Sequence, residues 1–340
     1  MKLIVQIPCH NEEPTLATTV RDIPRKIPGI NEVEVLVVDD GSTDRTVEVA
    51  HRSGVDHIVS LVGHKGLATA FRVGINASLA RGADVIVNTD GDNQYHGADI
   101  AALVAPIVSR QAEIVIGTRP IDSINEFSYL KKKLQRVGSW LVRRISGTDV
   151  PDASSGFRAY SREAALRINI VSRFTYTLED ILQAGVRGMS IVHVPVRTNP
   201  KLRDSRLARS TLHYLFSSAV SMVRLYVMYR SMRVFSYVAG ALLLAGLLLG
   251  VRFLVYMSRG GGAGHVQSLI LAAVLVILGF QTFVTGLLGY LVGCNRLLME
   301  EGLYHLRRQT FSGKSGPVRP RQPAGGAEPS VTEDNSEDAT

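Results

Sequence analysis

The stretch Asn88-Thr89-Asp90-Gly91-Asp92-Asn93-Gln94-Tyr95 (NTDGDNQY) follows directly on the apolar run Val85-Ile86-Val87. Asp, Gly and Asn are ordinary turn formers, so in isolation the segment reads as a solvated turn. Its surroundings change that reading. Short apolar runs of strand length recur at Leu3 to Ile7, Val33 to Val38, His57 to Val62, Val85 to Val87 and Glu113 to Ile116. Helix-like stretches fall between them at Thr15 to Lys26, Thr43 to Ser53, Gly66 to Ala80 and Ala98 to Arg110, with Ser42 the expected N-cap of the second. The alternation predicts an α/β fold on a mainly parallel sheet, whose strands are apolar throughout because both faces are buried. Polar clusters stand at the C-terminal ends of three of these strands: Cys9-His10-Asn11-Glu12, Asp39-Asp40-Gly41-Ser42 and Asp90 to Gln94. In an open α/β sheet that edge binds ligands.

Within the third cluster Asp90, Asp92 and Gln94 alternate, and a loop at a strand end can curl so that their oxygens converge. Hard oxygen donors of this kind select Mg²⁺ or Mn²⁺, which complete their shells with water and substrate phosphates. A D-x-D pair alone is weak support for a metal, since acidic turns are common. Here it is the third in a series of polar strand ends.

The 340 residues are enough for one large domain with a substantial core and a smaller part besides. Hydrophobic residues make up 46% of the chain, and their excess is concentrated between Val234 and Val292. Two apolar segments, 234–257 and 266–292, flank the Gly-rich stretch Arg259 to Gly264, and each is long enough to cross a hydrocarbon core of ~30 Å. Arg252 lies close enough to a segment end to snorkel. A net charge of +8 suits either nucleic acid or an anionic membrane surface, and the apolar segments decide for the membrane and against nucleic acid. Arg224, Arg230 and Arg233 before the first span, and Arg296, Arg307 and Arg308 after the second, place both flanks in the cytoplasm. Cys9 and Cys294 alone exclude a disulfide framework and a Cys-based metal site. The N-terminal MKLIVQIPCHNEE turns polar too early for a signal peptide.

Pro8-Cys9-His10-Asn11-Glu12, Val38-Asp39-Asp40-Gly41-Ser42 and Asp90-Gly91-Asp92-Asn93-Gln94 together resemble the P-x-x-N-E opening, nucleotide loop and D-x-D-x-Q metal loop of the inverting glycosyltransferases of family 2. These have the GT-A fold, a Rossmann-like nucleotide-sugar-binding domain. Within the family the likeness is to polyprenyl-phosphate enzymes such as dolichol-phosphate mannosyl- and glucosyltransferases. It covers Leu3 to about Arg209 and, by architecture, the two spans. The resemblance implies that Pro8, Glu12, Asp39 and Asp40 line the nucleoside, and that Asp90, Asp92 and Gln94 hold the metal and the donor diphosphate. Asp92, Arg119 and Glu179 carry the catalytic expectation. Arg119, in Ile116-Gly117-Thr118-Arg119, matches a G-x-R position that meets phosphate oxygens in similar enzymes, a role suited to its planar fork.

The same resemblance places Lys131-Lys132-Lys133, Arg136 and Ser139 near the acceptor phosphate, with Lys133 taken from a run that does not itself single out one lysine. Ser154-Ser155-Gly156-Phe157-Arg158 resembles the segment under the sugar site, and Arg158 joins the expected acceptor-phosphate set. Glu179-Asp180 falls where similar enzymes carry an acidic pair near the acceptor, with Glu179 acting either as a base or only to position the sugar. Arg203-Asp204-Ser205-Arg206 departs from the family's G-x-S-K-like element, although Arg206 still suits a lipid phosphate. The expected organisation is a GT-A catalytic domain at 1–210, a juxtamembrane amphipathic helix at 211–233, spans at 234–257 and 266–292, a basic cytoplasmic segment at 295–311 and a disordered tail at 312–340. The expected activity is metal-dependent, inverting transfer of one sugar from a GDP- or UDP-sugar to a polyprenyl phosphate, at the cytoplasmic face of the cell (inner) membrane. Two alternatives stand beside it. An elongating transferase would normally need a Q-x-x-R-W-like element, which is not found, and Asp90, Asp92 and Gln94 argue against a non-catalytic scaffold that binds sugar nucleotides. The sequence leaves the base, the sugar, the lipid length and assembly as a homo-oligomer open.

Overall fold

The computed structural model describes residues 1–119, 143, 147–171, 176–200, 211–260 and 266–312. A seven-stranded sheet organises the first 200 residues: β1 (Lys2–Cys9), β2 (Glu32–Asp39), β3 (His57–Ser60), β4 (Val85–Asn88), β5 (Ile114–Thr118), β6 (Arg158–Ser161) and β7 (Ile191–Pro195), in the order β3-β2-β1-β4-β6-β5-β7. All neighbouring pairs are parallel except those made by β6, which runs antiparallel between β4 and β5. The helices between the strands are α1 (Leu16–Asp22), α2 (Thr46–Arg52), α3 (Leu67–Ala80), α4 (Ile100–Val108), α5 (Arg162–Arg167) and α6 (Thr177–Arg187).

Because side chains alternate across a strand, the sheet feeds two cores. Ile4, Leu36, Val38 and Ile86 pack with Phe71 and Ile75 of α3 and with Tyr160 and Tyr176. Leu3, Val5, Val35, Val37 and Val87 pack on the opposite face with Leu103 and Val104 of α4. Register then positions the site: Cys9 pairs with Asp39, and Gln6 with Asn88, so the three polar strand ends stand side by side.

Two local expectations are corrected. The second helix begins at Thr46, not at residue 43, and its cap is not Ser42. The Asp44 carboxylate accepts from Thr46 N at 3.0 Å, while Ser42 Oγ accepts from Asn11 N at 2.9 Å and so ties two loops together. The first helix stops at Asp22 rather than Lys26, because Pro24 forces the residue before it out of the helical region and Ile23 has ψ 119°. Strand β6 was not foreseen. Its four residues, Arg-Ala-Tyr-Ser, carry a charge and no apolar run.

Beyond residue 210 the chain forms α7 (Thr211–Ser258), whose helical dihedrals break at Arg230 (φ −134°, ψ 33°), and α8 (Val266–Ser312), 47 residues long. Tyr226–Ser258 and Val266–Ser312 are long and apolar enough to cross a membrane. They pack closely on each other at small residues: a Cβ added at Gly279 would lie 2.8 Å from Leu243, and one at Gly286 would lie 2.6 Å from Phe235. Leu247, Leu248, Ile277 and Phe280 face outward, as lipid contact requires. The segment 295–311, read as a basic cytoplasmic strip, is a continuation of α8 that returns to the catalytic domain, and Tyr304 is buried in the α3-side core.

Candidate active site

The first two polar strand ends are joined to each other. Asn11, in the left-handed region at φ 56°, accepts from Thr43 N through Oδ1 at 2.8 Å, and Glu12 N donates to Thr46 Oγ1 at 2.8 Å. Asp39 accepts from Ser42 N at 3.0 Å. Asp40 accepts from the backbone N–H groups of Lys65 (2.7 Å) and Gly66 (2.8 Å), fixing the entry to α3, and meets His64 Nδ1 at 2.8 Å. The His10 and His64 rings lie against each other with centroids 4.1 Å apart. Pro8, Glu12, Asp39 and Asp40 are all buried at this edge, so the four expected nucleoside residues are brought together.

The third strand end lies against them. Gly91 packs so closely on Cys9 and Glu12 that an added Cβ would be 3.1 Å from Cys9 Sγ and 3.2 Å from Glu12 Cγ. Its carbonyl accepts from Thr15 Oγ1 at 2.8 Å and Thr19 Oγ1 at 3.1 Å. On the other side Asn199 Nδ2 donates to the carbonyl of Asn93 at 3.1 Å, and Asn199 N to the carbonyl of Gln94 at 2.9 Å. The loop that carries Asp90, Asp92 and Gln94 is therefore held by its backbone from both flanks. Asp92 Oδ1 accepts from Gln94 N at 3.3 Å, and Asp90, Asp92 and Gln94 are each partly accessible.

Directly beneath Asp90 lies Gly156. A Cβ there would stand 3.0 Å from both Asp90 carboxylate oxygens and 3.1 Å from the Tyr176 hydroxyl. Gly156 is fixed by Asn88 Nδ2, which donates to its carbonyl at 2.9 Å, and by its own N–H, which donates to the Tyr95 hydroxyl at 3.2 Å. Burial, and then the neighbouring Asp92 charge, push the Asp90 carboxyl up to about 7, against the opposing pull of Arg119. Crowded carboxylates of this kind are relieved by a cation, so the donor set fits Mg²⁺ or Mn²⁺. Among the described residues no three His, Cys, Asp or Glu side chains form a complete cage. Gly156→Ala is expected to displace the Asp90 carboxylate and lower activity roughly 10²-fold, in line with the cost of misplacing a catalytic group. Saturation at higher Mn²⁺, with an unchanged melting temperature, would be the matching signature, and normal activity would contradict the placement.

Arg119 is held in a bidentate pair with the buried Asp152, Nε to Oδ2 at 2.8 Å and Nη2 to Oδ1 at 3.1 Å, and Nη2 also donates to Ser154 Oγ at 2.8 Å. Burial works to lower its pKa, but Tyr95 and Asp152 outweigh that, and the guanidinium stays charged beside the Asp90 loop.

Arg158 is placed differently from expectation. It is 0% exposed, and its guanidinium is spent on the carbonyls of Ser155, Thr177 and Ala153 and on an ion pair with Asp180. As an acceptor-phosphate contact it is therefore withdrawn: no face of it reaches the surface. Glu179, also fully buried, accepts Val171 N–H at 3.1 and 3.2 Å on its two oxygens. Lys133, Arg136, Ser139 and Arg206 lie outside the described residues. Sequence reasoning missed Asn88, Gly156 as a cradle, Asp152, Tyr176 and Asn199. Gly156 lay within the Ser154–Arg158 segment already singled out, and Asn199 carried a signal in Pro200, which biases it to the extended backbone that seats it beside the Asp90 loop.

The family model described as "Glycosyl transferase family 2" matches residues 4–168. An uncharacterized glycosyltransferase of Mycobacterium bovis is 30% identical, over 58% of this chain and 85% of its own length. Polyprenol monophosphomannose synthase of Mycolicibacterium smegmatis is 26% identical, over 62% of this chain and 83% of its own. Among solved structures, glucosyl-3-phosphoglycerate synthase from Mycobacterium tuberculosis, in complex with Mn²⁺, UDP and phosphoglyceric acid, superposes with a TM-score of 0.52 at 19% identity. That match covers 65% of this chain and 78% of the other, and it establishes the shared GT-A fold.

Proposed function

The chain belongs to glycosyl transferase family 2, and from that premise we propose that it moves a single sugar from a nucleotide-sugar donor to a polyprenyl phosphate at the cytoplasmic membrane face, with inversion. The observation that carries this reading is the pair of long apolar helices, α7 and α8, the second of which runs on without a break to the catalytic domain. An acceptor embedded in the same bilayer is what such an arrangement serves. The likeness to a polyprenol monophosphomannose synthase supports the acceptor class.

In this reading Pro8, Glu12, Asp39 and Asp40 line the nucleoside. Asp90, Asp92 and Gln94 hold Mg²⁺ or Mn²⁺, which when bound offsets charge on the nucleoside diphosphate as it leaves. An acceptor phosphate oxygen attacks the anomeric carbon as the bond to the diphosphate oxygen breaks, inverting the centre. No general base is needed, since a phosphate monoester with a second pKa near ~6 is already largely a dianion at neutral pH. That agrees with Glu179, whose two oxygens are engaged by Val171 N–H. Arg119, oriented by Asp152 and Ser154, supplies a fixed cation that needs no reorganisation during the step. Lys133, Arg136, Ser139 and Arg206 are proposed to meet the acceptor phosphate on the strength of the family resemblance alone.

The test is purified full-length protein with undecaprenyl phosphate, Mn²⁺ or Mg²⁺, and a panel of GDP- and UDP-sugars. The expected product is an acid-labile glycosyl phosphate on the lipid. Transfer to a sugar hydroxyl instead, with no product on polyprenyl phosphate, would replace this reading with glycan elongation. Topology is checked separately: a cysteine placed at Gly261 is expected to label from outside intact cells, and labelling only after permeabilisation would contradict the proposed orientation.

A further inference from the structure

At 1.5 Å per residue the 47 residues of α8 span about 70 Å, more than twice the ~30 Å of a hydrocarbon core. The surplus reaches the catalytic domain and meets it through charges rather than apolar surface alone. Glu300, 6% exposed, accepts from Arg187 Nη2 of α6 and from Arg296 Nε one turn back, each at 2.7 Å. Arg296 also donates to the Tyr229 hydroxyl of α7 at 2.8 Å, and it lies 3.7 Å from Glu179 Oε1. Arg307, farther along α8, donates to the carbonyl of Ile168 at 2.8 Å.

These contacts converge on one short segment, residues 168–171. Arg307 holds its start. Gln183 of α6 holds its middle, accepting from Asn169 N at 2.9 Å and donating to the Asn169 carbonyl at 2.5 Å. Glu179 holds its end through Val171 N–H. Ile170 and Val171 form one wall of a cavity of about 570 Å³, and the opposite wall is the entry to α3, with His64, Lys65, Thr69 and Arg72. That entry is the one Asp40 fixes through Lys65 N and Gly66 N, so the cavity shares a wall with one of the expected nucleoside residues.

Burying charges costs desolvation free energy that an apolar contact between helix and domain would avoid, so a buried ion network is a poor adhesive. What it supplies is defined geometry. We propose that Arg296 is a positioning residue: through Glu179 it sets the 168–171 wall of this cavity, so the seating of the membrane hairpin governs how the catalytic domain receives the phosphate-bearing donor. This rests on the donor reading given above, but its structural half can be tested without any substrate.

The experiment compares full-length wild type, Arg296→Gln and Arg296→Lys in nanodiscs. Hydrogen exchange of the Val171 amide is expected to be at least about 10-fold faster in Arg296→Gln, with β1 and β2 protection unchanged and partial restoration in Arg296→Lys. In the same preparations KM for whichever GDP- or UDP-sugar of the panel is turned over is expected to rise about 10-fold, with kcat within about threefold. Equal Val171 exchange in wild type and Arg296→Gln would overturn the proposal. So would loss of protection across the whole sheet in both variants, which would make Arg296 a folding residue. Should the wild type turn over no member of the GDP- and UDP-sugar panel, the donor reading fails while the Val171 comparison still decides the positioning role.

Discussion

Asp92→Asn is expected to lower turnover about 10³-fold while leaving thermal unfolding unchanged, because a partly exposed carboxylate on a loop held by its own backbone is removed without touching the core. Asp90→Asn should be equally inactive but should differ in its response to pH. The Asp90 carboxyl sits near 7 in the fold, above its ordinary 3.8, because burial and then Asp92 disfavour its charge. A raised carboxyl contributes stability in its protonated form. That contribution is complete below pH ~4 and is lost as pH rises through about 7. In EDTA the melting temperature of the wild type is therefore expected to fall across that window. Mn²⁺, which binds the ionised form, should raise it more at pH 8 than at pH 5. Asp90→Asn abolishes the difference. An equal Mn²⁺ shift at both pH values in the wild type would show that Asp90 is not a ligand, even if Asp92→Asn is inactive.

What was legible in the sequence follows from which forces are local. Strands β1, β4 and β5 announce themselves because parallel strands buried on both faces need unbroken apolar runs, and the polar residues that end β1, β2 and β4 need no tertiary information to be noticed. Asp90, Asp92 and Gln94 were readable for the same reason. Asp152 and Asn88 were not, since each acts through a partner distant in sequence: Asp152 through Arg119, and Asn88 through Gly156. Residues 295–311 show only a basic composition in the sequence, through Arg296, Arg307 and Arg308, and not that they continue a helix back to the catalytic domain. Glu300 and Tyr304 lie four residues from Arg296 and Arg308 on the same helix, but the distant partners, Glu179 for Arg296 and the Ile168 carbonyl for Arg307, are visible only after folding. A cation in a sequence does not reveal which anion it will meet across the fold.

Arg158 is the sharpest case, and its substitution carries the largest expected loss of stability. Were it an acceptor-phosphate contact, Arg158→Met would raise KM for the lipid and leave unfolding untouched. Buried as it is, the same substitution strands Asp180 without its cation and deprives three carbonyls of their donor, while Tyr160 still donates to Asp180 Oδ2 at 2.7 Å. Breaking a buried pair from one side typically costs about 3–5 kcal/mol, which for a domain of this size lowers the melting temperature by roughly 6–20 °C. Burial already raises the Asp180 carboxyl against the pull of Arg158, so removing the arginine raises it further and lets the side chain protonate. The deficit should therefore shrink toward acid pH, and Asp180→Asn added to Arg158→Met should recover part of it at pH 8. Both recoveries require Asp180 to be the partner that matters. If Arg158→Met melts like the wild type and only its lipid KM rises, the arginine must reach the acceptor by a rearrangement of the 153–158 loop, and the phosphate role returns.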